Sequence, residues 1–219
     1  MTSPTWLHIT LTALAVSCLI APGAEPANAT PRTITDLLGI QRQVKRILPS
    51  AKQATVAILG EGAGTGVIVS PDGLVLTAGH VIGKPGSRLK VILSDGTIVR
   101  AKALGTVRFA DAGMVRLPKG HYPYVRMATD EVPGMGSWCV ALGHPGGPDK
   151  KRGPVTRIGR LISQNRHTIR TDCKLIGGDS GGPLLNIRGD IIGIHSRISR
   201  AADQNFHVSI HAYVEFWER

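Results

Sequence analysis

Short apolar runs on either side of tight turns are the feature that most restricts what this chain can fold into. Two pairs of runs flank Asp-Gly turns at residues 71–73 and 94–96, and a third pair flanks residues 186–190. An Asp-Gly pair between apolar runs is the strongest short-range signal for a β-hairpin, because both residues tolerate the backbone angles of two-residue hairpin turns. The chain has 27 glycines and only 4% aromatic residues, which also favours a turn-rich β protein over a helical bundle. The spacing of the runs predicts an all-β fold of two small antiparallel barrels.

Two segments depart from this β pattern and predict helices. Over residues 35–48, apolar side chains recur at helical spacing, Thr35 is a suitable cap, and Pro49 stops the run. A shorter helix is predicted around residues 211–218, where three aromatic residues offer an apolar face. The boundary between the barrels is predicted near residues 118–130, where prolines and a glycine interrupt the strand pattern.

The first 29 residues have the pattern of an export signal. Residues 9–20 are apolar and almost uncharged, and Ala27-Asn28-Ala29 fits the small-residue cleavage site of a signal peptidase. No Lys or Arg precedes the apolar stretch, so an uncleaved membrane anchor is the alternative, but the stretch is short for a membrane span. We expect a signal peptide over residues 1–29 and no stable membrane anchor after its cleavage. The net charge then rises from +11 to +12, because the segment removed contains one acid and no Lys or Arg.

Three residues lie in sequence contexts that suit a catalytic triad. His80 ends the stretch Leu-Thr-Ala-Gly-His, Asp111 begins the stretch Asp-Ala-Gly-Met-Val, and Ser180 lies in Gly-Gly-Asp-Ser-Gly-Gly-Pro. A serine hydroxyl is a weak nucleophile at neutral pH, and it needs an imidazole to accept its proton and a carboxylate to orient that imidazole. Each residue alone has a structural alternative, as a buried histidine, a turn cap or part of a tight turn. Their joint order and contexts predict a catalytic triad.

These motifs resemble those of trypsin-like serine proteases with the chymotrypsin fold, nearest to the HtrA (Deg) branch. The likeness also rests on Gly64–Gly73, on Ala141–Gly147 and on Thr171-Asp172. It covers roughly residues 40–219. The Gly-Asp-Ser-Gly-Gly-Pro block is its most specific part.

The resemblance implies two antiparallel six-stranded barrels, over about residues 50–120 and 125–210, with the active site between them. It implies a serine endopeptidase that hydrolyses peptide bonds through an acyl-enzyme intermediate, with the backbone N–H groups of Gly178 and Ser180 as the oxyanion hole. Neither a cofactor nor a metal is implied. The protease unit reaches the end of the sequence, so we expect no PDZ domain, a module that many HtrA-like proteins carry.

The remaining histidines do not form a metal-binding pattern. His207 and His211 are four residues apart, but the alternation around them predicts a strand, so the two would not share a helix face as metal ligands. His121, His144 and His167 are expected in loops or at the surface.

Asp179 stands where asparagine is usual in HtrA-like proteins. A buried carboxylate needs hydrogen bonds or a cation. Lys174, Arg152 or backbone N–H groups could serve, and the sequence does not choose among them.

Substrate-pocket walls in this fold come from the segment before the nucleophile, here Cys173–Gly177, and from the strand after the next hairpin, here His195–Arg197. Lys174, His195 and Ser196 are therefore the predicted pocket residues. His195 resembles the histidine with which glutamyl endopeptidases bind an acidic side chain, and a pocket lined by cations would favour Glu or Asp before the scissile bond. The alternative is a Lys174 that faces solvent, a His195 packed in the core, and an HtrA-like preference for small aliphatic side chains.

The net charge of +11 supplies a second hypothesis. Residues 148–154, together with Arg157, Arg160, Arg166 and Arg170, make the second half locally basic, and such surfaces attract polyanions. The protein could be a non-catalytic or chaperone-like binding module on a protease fold that engages anionic polymers. No aromatic residues alternate with the basic ones, so no nucleic acid is expected. The intact triad favours a peptidase whose partners are protein or peptide substrates, including acidic ones.

Cys139 and Cys173 lie outside the predicted signal peptide. Two cysteines in an exported protein can form one disulfide, but the sequence does not show whether they lie close enough. The export signal and the HtrA likeness together predict a bacterial protein that is periplasmic or secreted.

Overall fold

The computed structural model describes residues 30–60, 62–131, 133–149, 151–198 and 205–217. The predicted signal peptide, residues 1–29, lies outside the described residues. The first six strands are β1 (Thr55–Leu59), β2 (Ala63–Ile68), β3 (Leu74–Ala78), β4 (Arg88–Ile92), β5 (Ile98–Val107) and β6 (Ala112–Arg116). The next six are β7 (Trp138–Gly143), β8 (Val155–Gln164), β9 (Thr168–Thr171), β10 (Pro183–Asn186), β11 (Ile191–Ile198) and β12 (Asn205–Ser209).

Within the described ranges these strands close into two antiparallel six-stranded barrels. Their orders are β1-β2-β3-β6-β5-β4 and β10-β11-β12-β9-β8-β7. Strand β4 alternates between the two environments: Leu89 and Val91 are buried and the basic residues beside them are exposed. Other strands, such as β7 and β10, are buried at consecutive positions. The predicted fold class is confirmed.

The three predicted hairpins are also present, as β2–β3, β4–β5 and β10–β11. In the first, the N–H of Val69 donates to the carbonyl of Leu74 at 2.8 Å, and Gly73 in the turn has a φ of +86°. Gly96 in the second hairpin has a φ of +87°. Glycine adopts this left-handed conformation without the steric cost that a Cβ would impose, which is why Asp-Gly marked these turns.

Helix α1 spans Ile34–Ala54, and its start differs from the prediction. Thr33, and not Thr35, is the N-cap. Its hydroxyl accepts a hydrogen bond from the N–H of Asp36 at 3.1 Å, and its own N–H donates to the Asp36 carboxylate at 2.9 Å. This reciprocal capping box satisfies two N–H groups that a helix start would leave unpaired. The predicted cap was therefore wrong by two residues.

Helix α1 also continues past Pro49, where its end was predicted. Proline has no N–H and cannot donate to the carbonyl four residues before it. The ring of Pro49 faces solvent, whereas Ala51 and Ala54 in the next turn are buried in the main apolar core. The burial of this last turn offsets the lost hydrogen bond, so the helix persists.

The two barrels are joined by residues 117–137 and by helix α3 (Ile210–Trp217), which confirms the predicted C-terminal helix. On α3, the Tyr213 hydroxyl donates to the carbonyl of Thr77 at 2.6 Å. This bond attaches the segment after β12 to the end of β3, three residues before His80. In the described part of the chain, no helix has both the length and the apolarity needed to cross a membrane.

Candidate active site

His80 and Asp111 lie in direct contact at one end of the first barrel. His80 is in α2 (Gly79–Ile82), the short helix that follows β3, and Asp111 is in the turn between β5 and β6. Both carboxylate oxygens of Asp111 lie 3.0 Å from His80 Nδ1, and one of them also accepts the His80 backbone N–H at 3.0 Å. A carboxylate in this place holds the proton on Nδ1, which leaves Nε2 as the nitrogen able to accept a proton.

The backbone of Asp111 has an unusual conformation. Its φ is +55°, the only positive φ of a non-glycine residue among those described. Aspartate tolerates the left-handed region better than most residues with a side chain. The carbonyl of Asp111 accepts the N–H of Gly79 at 2.8 Å, so the turn and the start of α2 hold each other in place.

A third group reaches the Asp111 carboxylate from the second barrel. The hydroxyl of Ser196 on β11 donates to it at 2.5 Å. Burial raises the pKa of Asp111, but the hydrogen bonds from His80 and Ser196 outweigh burial and lower the pKa below its ordinary value. The hydrogen bond with Asp111 raises the pKa of His80, against the opposing effect of burial. Sequence reasoning assigned Ser196 to the substrate pocket and did not anticipate this contact.

Ser180 lies in the turn that precedes β10, against the first barrel. Its carbonyl accepts the N–H of Thr65 on β2 at 2.8 Å. The next residue, Gly181, has a φ of +86°, and a Cβ there would overlap the Thr65 carbonyl and lie 2.9 Å from the backbone nitrogen of Ala78. Only glycine permits this approach, which brings Ser180 beside the strand that leads into His80. In the described part of the chain no hydrogen bond joins Ser180 Oγ to His80.

The same turn contains the two backbone N–H groups predicted to form the oxyanion hole, those of Gly178 and Ser180. The N–H of Gly146 donates to the carbonyl of Gly177 at 2.8 Å. The C=O and N–H groups of a trans peptide point in opposite directions, so the N–H of Gly178 points away from Gly146. Gly178 has a φ of +94°, and its own carbonyl accepts the hydroxyl of Thr65 at 2.8 Å. Among the described residues, neither Gly178 N–H nor Ser180 N–H donates to a protein acceptor.

The partner of Asp179 is Arg157, which sequence reasoning missed. The Asp179 carboxylate is almost completely buried and forms an ion pair with Arg157 on β8 at 3.0 Å. It also accepts the N–H of Ile176 at 2.9 Å, so the expectation of a backbone donor holds. Burial raises the pKa of Asp179, against the lowering effects of Ile176 and Arg157. The Arg157 contact depends on the pairing of β7 with β8, which brings Arg157 opposite Ala141.

The two predicted pocket cations have different environments. Lys174 is exposed. His195 is fully buried, with its Nδ1 2.9 Å from Nδ1 of His207, and His207 Nε2 lies 2.7 Å from the hydroxyl of Thr171. Burial lowers the pKa of His195 well below its ordinary value and lowers the pKa of His207 to about 3. Both histidines are therefore neutral at neutral pH, and Lys174 is the predicted pocket residue that carries a positive charge.

His144 lies in the loop after β7, as expected, but it is buried and not at the surface. Its Nδ1 is 3.3 Å from the hydroxyl of Thr65, the same hydroxyl that donates to the carbonyl of Gly178. Burial lowers the pKa of His144 to about 4. A neutral histidine therefore packs behind the turn that contains Ser180. Across the described residues, no cluster of three His, Cys, Asp or Glu side chains could hold a metal ion.

Several residues of the predicted basic surface are bound within the protein. Arg157 pairs with Asp179, and Arg166 Nε lies 2.8 Å from the Glu215 carboxylate. The guanidinium of Arg160 lies 3.9 Å from the centre of the Trp138 ring, a cation–π contact. These contacts do not favour an open surface for polyanions.

Two six-stranded barrels, with a His–Asp pair on one and a serine in a glycine-rich turn on the other, define the chymotrypsin-like class of proteins. The chain belongs to the family of trypsin-like peptidase domains, whose profile matches residues 64–194.

Named relatives place the chain near the HtrA (Deg) branch, as predicted. HhoB of Synechocystis sp., named as a serine protease, is 34% identical over 146 residues, which cover 63% of this chain and 35% of the relative. A Pseudomonas putida protein named as a DegP-like periplasmic serine endoprotease is 34% identical over 142 residues, which cover 63% and 30%. The chain thus spans about a third of the length of the curated relatives it matches.

A solved structure shows the same fold. The serine endoprotease from Yersinia pestis superposes with a TM-score of 0.70 at 23% sequence identity, covering 87% of this chain and 67% of that chain. At 23% identity this similarity shows a shared fold and does not extend to function.

Proposed function

We propose that the chain is a serine endopeptidase that hydrolyses peptide bonds of protein substrates through an acyl-enzyme intermediate. Ser180 is the nucleophile, His80 is the general base and then the general acid, and Asp111 orients His80. The observation that carries the proposal is the contact of the Asp111 carboxylate with His80 Nδ1 at 3.0 Å, because it leaves His80 Nε2 available to take the serine proton.

The first half of the reaction acylates the serine. His80 Nε2 accepts the proton of Ser180 Oγ as that oxygen attacks the carbonyl carbon of the scissile bond. As the carbonyl oxygen becomes negatively charged, it accepts hydrogen bonds from the N–H groups of Gly178 and Ser180. These two N–H groups have no other protein acceptor in the described chain. The imidazolium then donates its proton to the leaving nitrogen, the C–N bond breaks, and the ester between Ser180 and the substrate remains.

The second half hydrolyses that ester. His80 Nε2 accepts a proton from water, the water oxygen attacks the ester carbon, and the same two N–H groups stabilise the oxyanion. The proton returns from His80 to Ser180 Oγ as the acid product leaves. Asp111 stays ionised throughout, which its lowered pKa supports, and it stabilises the imidazolium in both halves.

The exposed Lys174 and the buried His195 match the alternative stated for the pocket, which supports an HtrA-like preference for small aliphatic side chains before the scissile bond. A preference for Glu or Asp rests on Lys174 alone. His195 is buried and neutral, so it cannot supply a positive charge at neutral pH. Lys174 is exposed and lies six residues before Ser180, in the segment that forms one wall of the predicted pocket. An ammonium group at the pocket attracts a carboxylate through charge and a charge-assisted hydrogen bond.

We also propose that the protein acts outside the cytoplasm, in a bacterial periplasm or after secretion. The apolar residues 9–20 and the cleavage pattern at residues 27–29 support export. The N-terminal sequence and mass of the protein recovered from an expressing bacterium test this proposal directly.

The test of the catalytic proposal compares the wild type with Ser180→Ala. Both proteins are exported by a bacterial host, treated with a fluorophosphonate probe and incubated with denatured casein. We expect only the wild type to be labelled and to digest casein. Ser50→Ala, which removes an exposed serine of α1, is the matched control and should behave like the wild type. Equal labelling of wild type and Ser180→Ala would contradict the assignment, as would no labelling of a folded wild type.

A further inference from the structure

Cys139 and Cys173 bring their thiols together inside the second barrel. Cys139 lies on β7 and Cys173 lies two residues after β9. The two Sγ atoms are 3.7 Å apart. Both residues are buried, with 0% and 1% of their surfaces exposed.

Gly159 leaves space for the Cys173 thiol beside Cys139, because it has no side chain. It lies on β8 directly opposite Cys139 in the β7–β8 register. A Cβ atom at this position would lie 2.7 Å from Cys173 Sγ and 3.0 Å from the Cys173 backbone nitrogen. Real Cβ atoms do not approach other atoms so closely, so a larger residue here would displace Cys173. The sequence therefore combines two cysteines with a glycine that lets them meet across a strand.

The polar surroundings make the two thiols unequal. The hydrogen bond with Cys139 lowers the pKa of Cys173, a hydrogen bond with the Thr171 hydroxyl lowers it further, and burial opposes both. The same bond to Cys173, together with burial, raises the pKa of Cys139. The thiolate is the attacking species in thiol–disulfide exchange.

We propose that Cys139 and Cys173 form a disulfide site, oxidised by a disulfide-containing oxidant while the second barrel is still open during folding. One of the two cysteine thiolates attacks one sulfur of the oxidant, forms a mixed disulfide and releases the first thiolate of the oxidant. The thiolate of the other cysteine then attacks the protein sulfur of this mixed disulfide, and the second sulfur of the oxidant leaves as a thiolate. One S–S bond forms in the protein and one is reduced in the oxidant, and the two protons pass to the released thiols.

The bond attaches the wall of the predicted pocket to the body of the barrel. Cys173 is the first residue of that wall, Cys173–Gly177, and β7 lies in the barrel sheet beside β8 and β10. The two cysteines are 34 residues apart, so the crosslink restricts a long loop in the unfolded chain. Closing such a loop stabilises the folded state. The formation of this bond does not depend on peptidase activity.

The test uses the full chain with Cys18→Ser, in which the two cysteines are the remaining ones of the three in the sequence. The protein is unfolded, reduced, and refolded in buffers that range from reduced to oxidised glutathione. Refolding from the open state gives the oxidant access to thiols that are buried in the native state. We expect a mass loss of two hydrogen atoms, a linked peptide that contains both cysteines, and a Tm about 5–10 °C above that of the reduced protein.

Cys139→Ser and Cys173→Ser are the matched controls, and their Tm values should not respond to oxidised glutathione. The proposal is overturned if the refolded chain in oxidised glutathione keeps two thiols that can be alkylated, or if it carries glutathione on one cysteine without an internal link. If refolding fails, the chain is exported into the oxidising envelope of a bacterial host and its mass is measured directly. There, two free thiols in the folded protein overturn the proposal equally.

Discussion

The hydroxyl of Ser196 donates to the carboxylate of Asp111 across the junction between the two barrels, over a separation of 85 residues in the chain. His80 contacts the same carboxylate from the first barrel. The orientation of Asp111 therefore depends on both barrels and on how they dock.

Ser196→Ala is expected to lower kcat by about 10- to 100-fold and to leave KM nearly unchanged. The substitution removes one hydrogen bond to a charged group, worth about 1.5–3 kcal/mol, from the carboxylate that orients His80. Steady-state kinetics on a peptide substrate measure both constants. Ser50→Ala serves again as the control. An increase in KM at constant kcat would instead assign Ser196 to the substrate pocket, as first predicted.

Peptidase activity is expected to fall as the pH drops through the pKa of His80, which the hydrogen bond with Asp111 raises above its ordinary value of 6.5. Only the neutral imidazole can accept the serine proton, and a raised pKa keeps the ring protonated to higher pH. The acid limb of kcat/KM should therefore lie above pH 6.5.

Asp111→Asn is expected to move this acid limb to lower pH and to reduce kcat by about 10⁴-fold. The substitution removes the charge that stabilises the imidazolium and replaces one of the two acceptor oxygens beside Nδ1 with an NH2 donor, which disfavours the tautomer with the proton on Nδ1. A profile of kcat/KM against pH for both proteins checks the shift. An acid limb that stays in place would show that a group other than His80 controls it.

Arg157→Met is expected to reduce the free energy of unfolding by about 3–5 kcal/mol, because it leaves the buried Asp179 carboxylate without its cation. The double variant Arg157→Met with Asp179→Asn should recover most of the loss, since it leaves no buried charge. Urea unfolding of the wild type and the variants measures these differences.

The stability that Arg157→Met loses, measured as the free energy of unfolding, should become smaller as the pH falls. The pKa of Asp179 is already raised by burial, and removal of Arg157 raises it further, so the folded state binds a proton at a pH where the unfolded state does not. This proton uptake stabilises the folded variant as the pH falls towards the unfolded pKa. If the loss of stability did not depend on pH, the buried and unpaired Asp179 carboxylate could not be its cause.

Lys174→Gln is expected to reduce kcat/KM for peptides with Glu before the scissile bond by about tenfold, roughly the value of one charge-assisted hydrogen bond. Activity on matched peptides with Val should change little. Lys119→Gln removes another exposed lysine, outside the predicted pocket, and is the control for net charge. A wild type that shows no preference for Glu over Val would remove the basis for an acidic pocket.

The elements that could be predicted from the sequence depend on residues close together along the chain. An Asp-Gly pair determines its own turn, and the glycines beside Ser180 determine a turn that a Cβ would block, as at Gly181. The predictions for His80 and Asp111 were possible because each motif is contiguous. In such cases the same few neighbouring residues determine both the backbone conformation and the chemical groups of the motif.

The contacts that escaped prediction depend on register and docking. Arg157 reaches Asp179 only because β8 pairs with β7 in one register, and Ser196 reaches Asp111 only because the barrels meet at one angle. The continuation of α1 through Pro49 depends on the burial of Ala54, which a helical period cannot reveal. Local pattern contains no information about such distant partners.

The bond from Tyr213 to Thr77 spans 136 residues of sequence and ends three positions before His80. On a ribosome, a segment that relies on such a distant partner stays without it until that partner has been synthesised and has left the exit tunnel. The hydrogen bond between Tyr213 and Thr77 is thus among the last contacts of the described chain to form. In a nascent chain, the segment that leads into His80 therefore gains this bond only after nearly all of the described residues have been made.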